Sequence, residues 1–423
     1  MTSSSLLLWI AGGIFLQVAA YLAIGFWRHW IEYRALQGNA AVLNFSTTDA
    51  SATLEDDEPA VTAWQGYRTF SVERRAVEDA AQSICSFYLV PADGKVLPPF
   101  LPGQFLTFRL DVPTAAGGTE PIIRCYSLSD APRAGGYRVS IKRMPQPAGS
   151  DFAPGRSSNY FHDHVDVGSQ LQVRAPGGHF HLDRGESPVV LIGGGIGITP
   201  MLSMLDWCLA EQPRREVWLF YGVRNSREMI MKSHLESLAA AYPNFHLRVC
   251  FSDPLTGDVA ARDYQHRARI DVNVLRMQLP LKPYHYYICG PTPMMESLVP
   301  ALEDWGVPDS RIHFEAFGPA SVKRRSATTA TLPAATDEGK VVVTFAGSGK
   351  ALNWQPASGS LLEFAEANGI AVNSGCRAGG CGSCQTTIQS GEVVYRQVPD
   401  YDPEPGTCLL CVCMPKTSVT LEA

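Results

Sequence analysis

The sequence predicts a multidomain protein: an N-terminal transmembrane helix, an antiparallel β-barrel, an α/β domain and a C-terminal α+β domain. Three observations predict it. Residues 6–27 form an apolar run with no charge. Strand-length runs over residues 66–187 give way at residue 188 to strand–helix alternation that continues to residue 318. Two stretches of small and polar residues, 28–65 and 319–339, separate these blocks from one another and from a last block, 340–423.

The apolar run, LLLWIAGGIFLQVAAYLAIGFW, contains Gln17 as its only strongly polar residue. As a helix its 22 residues rise about 33 Å, enough for a hydrocarbon core of about 30 Å. A cleaved signal peptide is the rival reading, but such peptides carry a charged n-region and residues 2–5, TSSS, have none. Arg28 and Arg34 follow the span, so the positive-inside rule places the bulk of the chain on the cytoplasmic side of the cytoplasmic membrane. Trp27 and Trp30 fall at the interface.

At 423 residues the length suits about three domains. Hydrophobic content of 45% and charged content of 18% suit packed domains. The net charge of −6 gives no basic footprint, which argues against a nucleic-acid partner. Of 11 cysteines, six crowd into residues 376–413. In a chain of this length that crowding reads as metal or cluster chemistry in a reducing compartment, not as a disulfide scaffold.

Within the first folded block, residues 70–77, 83–90, 104–112, 137–143 and 170–174 are strand-like runs broken by Pro and Gly. From Pro188, strands are expected at 189–192, 217–221, 246–251 and 285–289 with helices between them, an open α/β sheet with ligand sites at the strand ends. The last block carries a strand at 341–345, a helix at 361–367, and a hairpin of 386–388 with 393–395 around Ser390-Gly391.

Arg124-Cys125-Tyr126-Ser127-Leu128-Ser129 is expected to follow a strand. Around it stand Pro102-Gly103-Gln104-Phe105, Val139-Ser140-Ile141-Lys142-Arg143 and Gly155-Arg156-Ser157-Ser158-Asn159. Taken alone the first motif could be a strand with an incidental arginine. The four blocks in this order make the segment resemble the ferredoxin–NADP reductase superfamily, most closely the reductase half of flavohaemoglobins and related oxygenase reductases. The resemblance implies a flavin-binding barrel over 66–187. In it Arg124 pairs with the pyrophosphate through its fork of donors, and Tyr126 covers the isoalloxazine. Ser127 would hydrogen-bond near N5, with Leu128 completing the motif. Gly155, Ser158 and Asn159 would approach the phosphates in the version of the block that takes FAD, not FMN.

Val189-Val190-Leu191-Ile192-Gly193-Gly194-Gly195-Ile196-Gly197-Ile198-Thr199-Pro200 reads as a buried strand, a glycine turn and a helix start. Such a turn lets backbone approach a pyrophosphate at a helix N-terminus. Ile198 stands where G-x-G-x-x-G needs its last glycine, which disfavours a Rossmann dehydrogenase. Gly-Gly-x-Gly-Ile-x-x-Pro does match the superfamily, and so implies that Gly194, Gly195, Gly197, Thr199 and Pro200 bind the nicotinamide nucleotide. The resemblance also places Cys289, with Gly290 and Pro291, beside the nicotinamide C4, and Glu315 and Phe317 of Glu315-Ala316-Phe317-Gly318 near the flavin. Without it, Cys289 and Phe317 would read as core residues. Superfamily members using NADPH often carry an arginine where this chain has Asp253. A carboxylate there repels a 2′-phosphate, so NADH is expected, although Arg224 and Arg227 could hold a phosphate.

Cys376-Arg377-Ala378-Gly379-Gly380-Cys381-Gly382-Ser383-Cys384 gives C-x₄-C-x₂-C, the plant-type [2Fe–2S] spacing. Spacing alone leaves the fourth ligand open among Cys408, Cys411 and Cys413. A zinc site on Cys381, Cys384, Cys408 and Cys411 also forms two C-x₂-C pairs, but it leaves Cys376 and the glycines unexplained. Leu409-Leu410-Cys411-Val412-Cys413-Met414-Pro415 resembles the end of a plant-type ferredoxin. That resemblance implies a β-grasp domain with Cys376, Cys381, Cys384 and Cys411 as ligands.

Together these resemblances imply an NAD(P)H-dependent oxidoreductase carrying FAD and [2Fe–2S], in which Ser127, Cys289 and Glu315 serve the hydride transfer. Electrons would arrive in pairs from NADH and leave singly through the cluster to a membrane-associated protein acceptor such as an oxygenase, a desaturase or a similar iron enzyme. A diffusible acceptor (a quinone or ferric chelate) and a membrane-tethered redox sensor are the other readings.

Overall fold

The computed structural model describes residues 63–423 apart from 115–116, 147–148, 150–152, 318–340, 378, 397–398 and 400. The apolar span at 6–27, the tether as far as residue 62 and the linker at 319–339 lie outside the described residues. Among those described, no helix is long and apolar enough to cross a membrane.

Six antiparallel strands come first: β1 (Arg68–Val77), β2 (Ile84–Pro91), β3 (Phe105–Pro113), β4 (Thr119–Ser127), β5 (Tyr137–Lys142) and β6 (Gln170–Val173). They lie in the order β4-β3-β6-β1-β2-β5, and a bridge between Leu128 and Val139 joins the two outer strands. The sheet therefore closes on itself at this bridge, as the expected barrel does. In β3, Phe108, Leu110 and Val112 are buried while Arg109 and Asp111 are exposed, the period-two alternation of a one-sided strand. Helix α1 (Arg156–His164) closes one end by setting Phe161 edge-on against Phe87 and Phe108, at 5.2 and 5.3 Å between ring centroids. One correction concerns β4. Arg124 to Ser127 do not follow a strand; they are its last four residues. The strand escapes the sequence pattern because its first half, Thr119-Glu120-Pro121, is exposed and carries a proline, so no alternation announces it.

The next block holds β7 (Val189–Gly194), β8 (Val217–Val223), β9 (Phe245–Phe251), β10 (His285–Gly290) and β11 (Ile312–Ala316), all parallel, in the order β11-β10-β7-β8-β9. Helices α2 (Ile198–Glu211), α3 (Lys232–Ala241), α4 (Val272–Gln278) and α5 (Thr292–Asp304) alternate with the strands. Every residue of β7 is buried, as a central parallel strand requires. The chain runs outward from β7 to β8 and β9 on one side and later to β10 and β11 on the other. The crevice for a ligand therefore opens at the carboxyl ends of β7 and β10. Barrel and α/β block are joined by Asp183 N–H donating to the Tyr287 hydroxyl (2.9 Å) and Ala81 N–H donating to the Arg227 carbonyl (3.1 Å).

The last block is the expected α+β domain. β12 (Val342–Phe345), β13 (Lys350–Asn353), β14 (Gln385–Ser390), β16 (Thr407–Leu409) and β18 (Val419–Leu421) form a mixed sheet in the order β13-β12-β18-β14-β16. Helix α6 (Leu361–Ala367) begins at a Ser360–Glu363 capping box and packs Leu361, Leu362 and Phe364 among Val343, Phe345 and Leu421, the β-grasp arrangement. The expected 386–388/393–395 hairpin is absent. β14 pairs with β16 and β18, whereas β15 (Val393–Tyr395) pairs with β17 (Cys413–Pro415) in a separate ribbon. At Gly391 (φ +89°) a Cβ would stand 2.2 Å from the Ser418 carbonyl, so the chain there crosses under the β17–β18 connection instead of folding back on itself.

Candidate functional site

The glycine turn after β7 is built by packing. A Cβ on Gly194 would meet Met294 Sδ and Pro291 Cδ at 2.8 Å, and one on Gly197 would lie 2.2 Å from the Cys289 carbonyl oxygen. Gly290 closes the same contact from the β10 side, 3.0 Å from Gly194 Cα by its own added Cβ. Gly195, in contrast, meets nothing within 4 Å and is the open point of the turn. Thr199 and Pro200 are buried, and the Thr199 hydroxyl donates to the Ile196 carbonyl (3.0 Å), so their side chains shape the turn and leave the approach to backbone. Helix α2 starts here without a side-chain cap, and its first N–H, that of Ile198, is taken by the Gly195 and Ile196 carbonyls of the turn.

Beside this turn the three residues expected to serve hydride transfer come together from two blocks. Cys289 and Glu315 are direct partners across β10 and β11. The Ser127 hydroxyl at the end of β4 donates to Glu315 Oε2 at 3.5 Å. Burial and the neighbouring Glu315 hold the Cys289 thiol well above its ordinary range, so it stays neutral. Burial also pushes the Glu315 carboxyl up to about 8, with the Ser127 hydroxyl pulling the other way. The folded chain then keeps a proton that an unfolded glutamate releases near pH 4. Stability through this group is full below that value, falls as pH rises between about 4 and 8, and is flat above. Thermal unfolding of Glu315→Gln is expected to show a melting point that gains on the wild type as pH rises from about 5 to about 8. A pH-independent difference would contradict this assignment. Phe317 is 39% exposed at the rim, available to a ligand and not part of the core.

At the barrel end, Tyr126 rests its ring edge-on against Phe108 and Phe161, and its hydroxyl shares a hydrogen bond with Ser157 (2.8 Å). Gly155 N–H donates to the Met144 carbonyl, Ser158 donates back to the Gly155 carbonyl, and the Asn159 amide donates to Met144. These bonds fix the N-terminus of α1, and buried Asn159 Oδ1 is left without a protein partner. Leu128 is fully buried and belongs to the barrel core. Arg124 is exposed, and besides its neighbour Ile123 its guanidinium donates to the Ser374 carbonyl (3.3 Å), two residues before Cys376. Asp253 is exposed; its N–H donates to the Arg224 carbonyl, and the Arg224 side chain is itself ion-paired with Glu228.

The cluster loop supplies thiols in two couples. Cys376 N–H donates to Cys381 Sγ (3.2 Å) and Gly380 N–H to Cys376 Sγ (3.2 Å); Cys384 Sγ and Cys411 Sγ lie 3.2 Å apart. Cys408 and Cys413 are fully buried against one another. The alternative zinc set is divided among these pairings, since Cys381 goes with Cys376 and Cys408 with Cys413. Two irons, each taking two thiolates, match the couples, and the N–H groups aimed at sulfur fit a cluster that needs such contacts. Gly382 (φ +71°) admits the Tyr401 ring, whose carbons would stand 2.7 Å from an added Cβ.

Comparison with known proteins matches these blocks in turn. The oxidoreductase FAD-binding domain model covers residues 80–182, the oxidoreductase NAD-binding domain model residues 191–299, and the 2Fe-2S iron-sulfur cluster binding domain model residues 343–416. The flavohem-like FAD/NAD-binding domain of nitric oxide dioxygenase from Vibrio cholerae is 34% identical, with a TM-score of 0.53; the match takes in 60% of this chain and 100% of that one. The chain belongs to the FAD- and NAD-binding reductases. A flavohemoprotein of Halalkalibacterium halodurans is 39% identical over 267 residues, and this reductase spans 63% of its length. A cytochrome P450 reductase from Amycolatopsis is 25% identical, with a TM-score of 0.50 over 62% of this chain and 72% of that one. The protein is thus an NAD(P)H-dependent oxidoreductase with FAD-binding, NAD-binding and [2Fe–2S] domains.

Three further residues of this reductase carry no signal in the sequence. Cys125 was the variable position inside the flavin motif, yet its half-buried thiol lies within hydrogen-bonding reach of Cys376 and Cys381. Arg174, just past β6, donates to the Cys381 carbonyl (3.0 Å) and lies between the rings of Tyr67 (4.7 Å) and Tyr401 (4.6 Å). Tyr401 in turn donates its N–H to Gly379 (3.0 Å). Only the strand-to-loop docking reveals them.

Proposed function

We propose that this reductase draws electron pairs from NADH and delivers single electrons to a membrane-associated iron enzyme of the oxygenase or desaturase kind, held near it by the apolar span at 6–27. FAD, when bound, supplies a group that takes two electrons and gives them up singly, and the [2Fe–2S] cluster one that carries them singly. The convergence of Ser127, Cys289 and Glu315 at the mouth of the glycine turn carries the reading. Ser127 offers a hydroxyl to the flavin edge, neutral Cys289 shapes the floor on which the nicotinamide lies, and Glu315 can hold a proton at physiological pH. Tyr126 covers the ring, and the first turn of α1, from Gly155 through Ser158 and Asn159, takes the phosphates. Arg124, two residues before Tyr126 and so on the same face of β4, would pair with the pyrophosphate.

A protein acceptor is favoured by the similarity to the cytochrome P450 reductase. Preference for NADH rests on Asp253 and on the engagement of Arg224 by Glu228. The ratio of kcat/KM values for the two nucleotides is expected to favour NADH, and an advantage of about tenfold for NADPH would reverse the assignment. The anchor raises the partner's effective concentration. Deleting residues 1–35 is therefore expected to spare dye reduction but to depress native turnover in membranes; equal native turnover would remove the anchor from the account. Fast steady-state reduction of cytochrome c would count against a tethered sensor, which needs little turnover.

A further inference from the structure

The flavin strand and the cluster loop touch at one thiol. Cys125 and Ser127 are two residues apart on β4, so their side chains leave the same face about 7 Å apart. Ser127 meets Glu315 at the nicotinamide end, whereas Cys125 follows Arg124, whose guanidinium donates to the Ser374 carbonyl, and so stands where the cluster loop docks, with its thiol turned to the Cys376–Cys381 couple. The Thr107 hydroxyl on β3 sits 3.4 Å from Cys125 Sγ and fixes its direction. We propose that Cys125 is a positioning and tuning residue of the cluster: its S–H donates to a ligand sulfur of the Cys376–Cys381 couple and raises the cluster's reduction potential while the ferredoxin domain is docked on the barrel. The inference rests on the [2Fe–2S] reading given above.

The physical reason is charge. A reduced cluster carries one more negative charge than an oxidised one, and a donor pointed at a ligand sulfur stabilises the reduced form more. Donor and acceptor belong to different domains, so the contact exists only in the docked register. Arg174 holds that register through the Cys381 carbonyl and the Tyr67 and Tyr401 rings, and Arg124 adds its bond to the Ser374 carbonyl. A cluster that moves off the barrel loses the donor and becomes the stronger reductant, which favours uptake from the flavin when docked and release to an acceptor when not.

The test is an EPR-monitored redox titration of the full chain with its cofactors. Cys125→Ala is expected to shift the reduced-to-oxidised ratio of the cluster about tenfold toward oxidised at a fixed ambient potential, the size of one hydrogen bond to a charged group; for one electron that is 59 mV downward. Cys125→Ser keeps a donor and is expected to stay near the wild type. Arg174→Lys keeps the charge but loses the planar fork, so it is expected to lower the potential in the wild-type background and to add nothing in the Cys125→Ala background. An unshifted potential in Cys125→Ala overturns the proposal. Should that variant fail to assemble a cluster, an unshifted potential in Thr107→Val, which removes the hydroxyl that aims the thiol, overturns it instead. A wild-type protein with no two-iron signal after reduction would remove the underlying reading; a wild-type signal with unshifted variants removes only this inference.

Discussion

Replacing Gly197 by alanine is expected to abolish reduction by NADH while leaving flavin and cluster in place. The new Cβ would stand 2.2 Å from the Cys289 carbonyl oxygen, 2.4 Å from its carbon and 2.7 Å from the Gly290 nitrogen. All three are backbone atoms of β10 and its exit turn, which is held in parallel register with β7 by the pairs running from His285–Val189 to Cys289–Gly193. No side-chain rotation can relieve such an overlap, so β7 and β10 must part where the nicotinamide crevice opens. Overpacking of this kind costs about 3 kcal/mol, and a shift of 1 Å at a reacting centre costs about 100-fold in rate. Gly195→Ala is the control. Its φ of +54° strains an alanine by about 1–2 kcal/mol, but nothing lies within 4 Å, so NADH turnover is expected to survive in larger part. Stopped-flow flavin reduction reads both variants, and wild-type rates in Gly197→Ala would contradict the packing account.

The second large effect concerns the fourth ligand. Cys411→Ala is expected to lose the cluster, and with it cytochrome c reduction, by about 100-fold or more, since even outer-shell changes at metal sites cost 10–100-fold. Reduction of a flavin-accessible dye by NADH should continue. Cys408→Ala removes a fully buried thiol that meets Cys413, not the Cys384–Cys411 couple. It is expected to keep the cluster and lose only modest stability. Iron and sulfide content per flavin checks both; a cluster that survives in Cys411→Ala and fails in Cys408→Ala would move the ligand.

Much of this architecture is legible in the sequence because its signals are local. The continuous apolar run of β7, the glycine turn and the C-x₄-C-x₂-C loop each name an element and its chemistry within a dozen residues. β4 escapes because half of it is exposed and interrupted by Pro121, and β11 because five residues, Ile312–Ala316, are too few to show a period. The 386–395 hairpin fails for the opposite reason: Ser390-Gly391 is a good turn signal, but Gly391 serves a close crossing near Ser418. At the site, the motifs and the family resemblance they carry mark Ser127, Cys289 and Glu315, yet their meeting depends on barrel and parallel sheet lying side by side. Cys125 and Arg174 are legible only in three dimensions. One occupies the variable position of its motif and the other an unremarkable strand end, and both acquire meaning from a loop that is 207 residues away from Arg174 in the chain.

The most direct test of the relay is an anaerobic titration of the full chain with NADH, following visible absorbance and EPR on the same samples. The account predicts that the flavin colour bleaches and that a two-iron signal grows with it, both returning to the oxidised form when cytochrome c is added. A yellow chromophore that bleaches while the iron centre stays oxidised, or a preparation with no such centre, would contradict it.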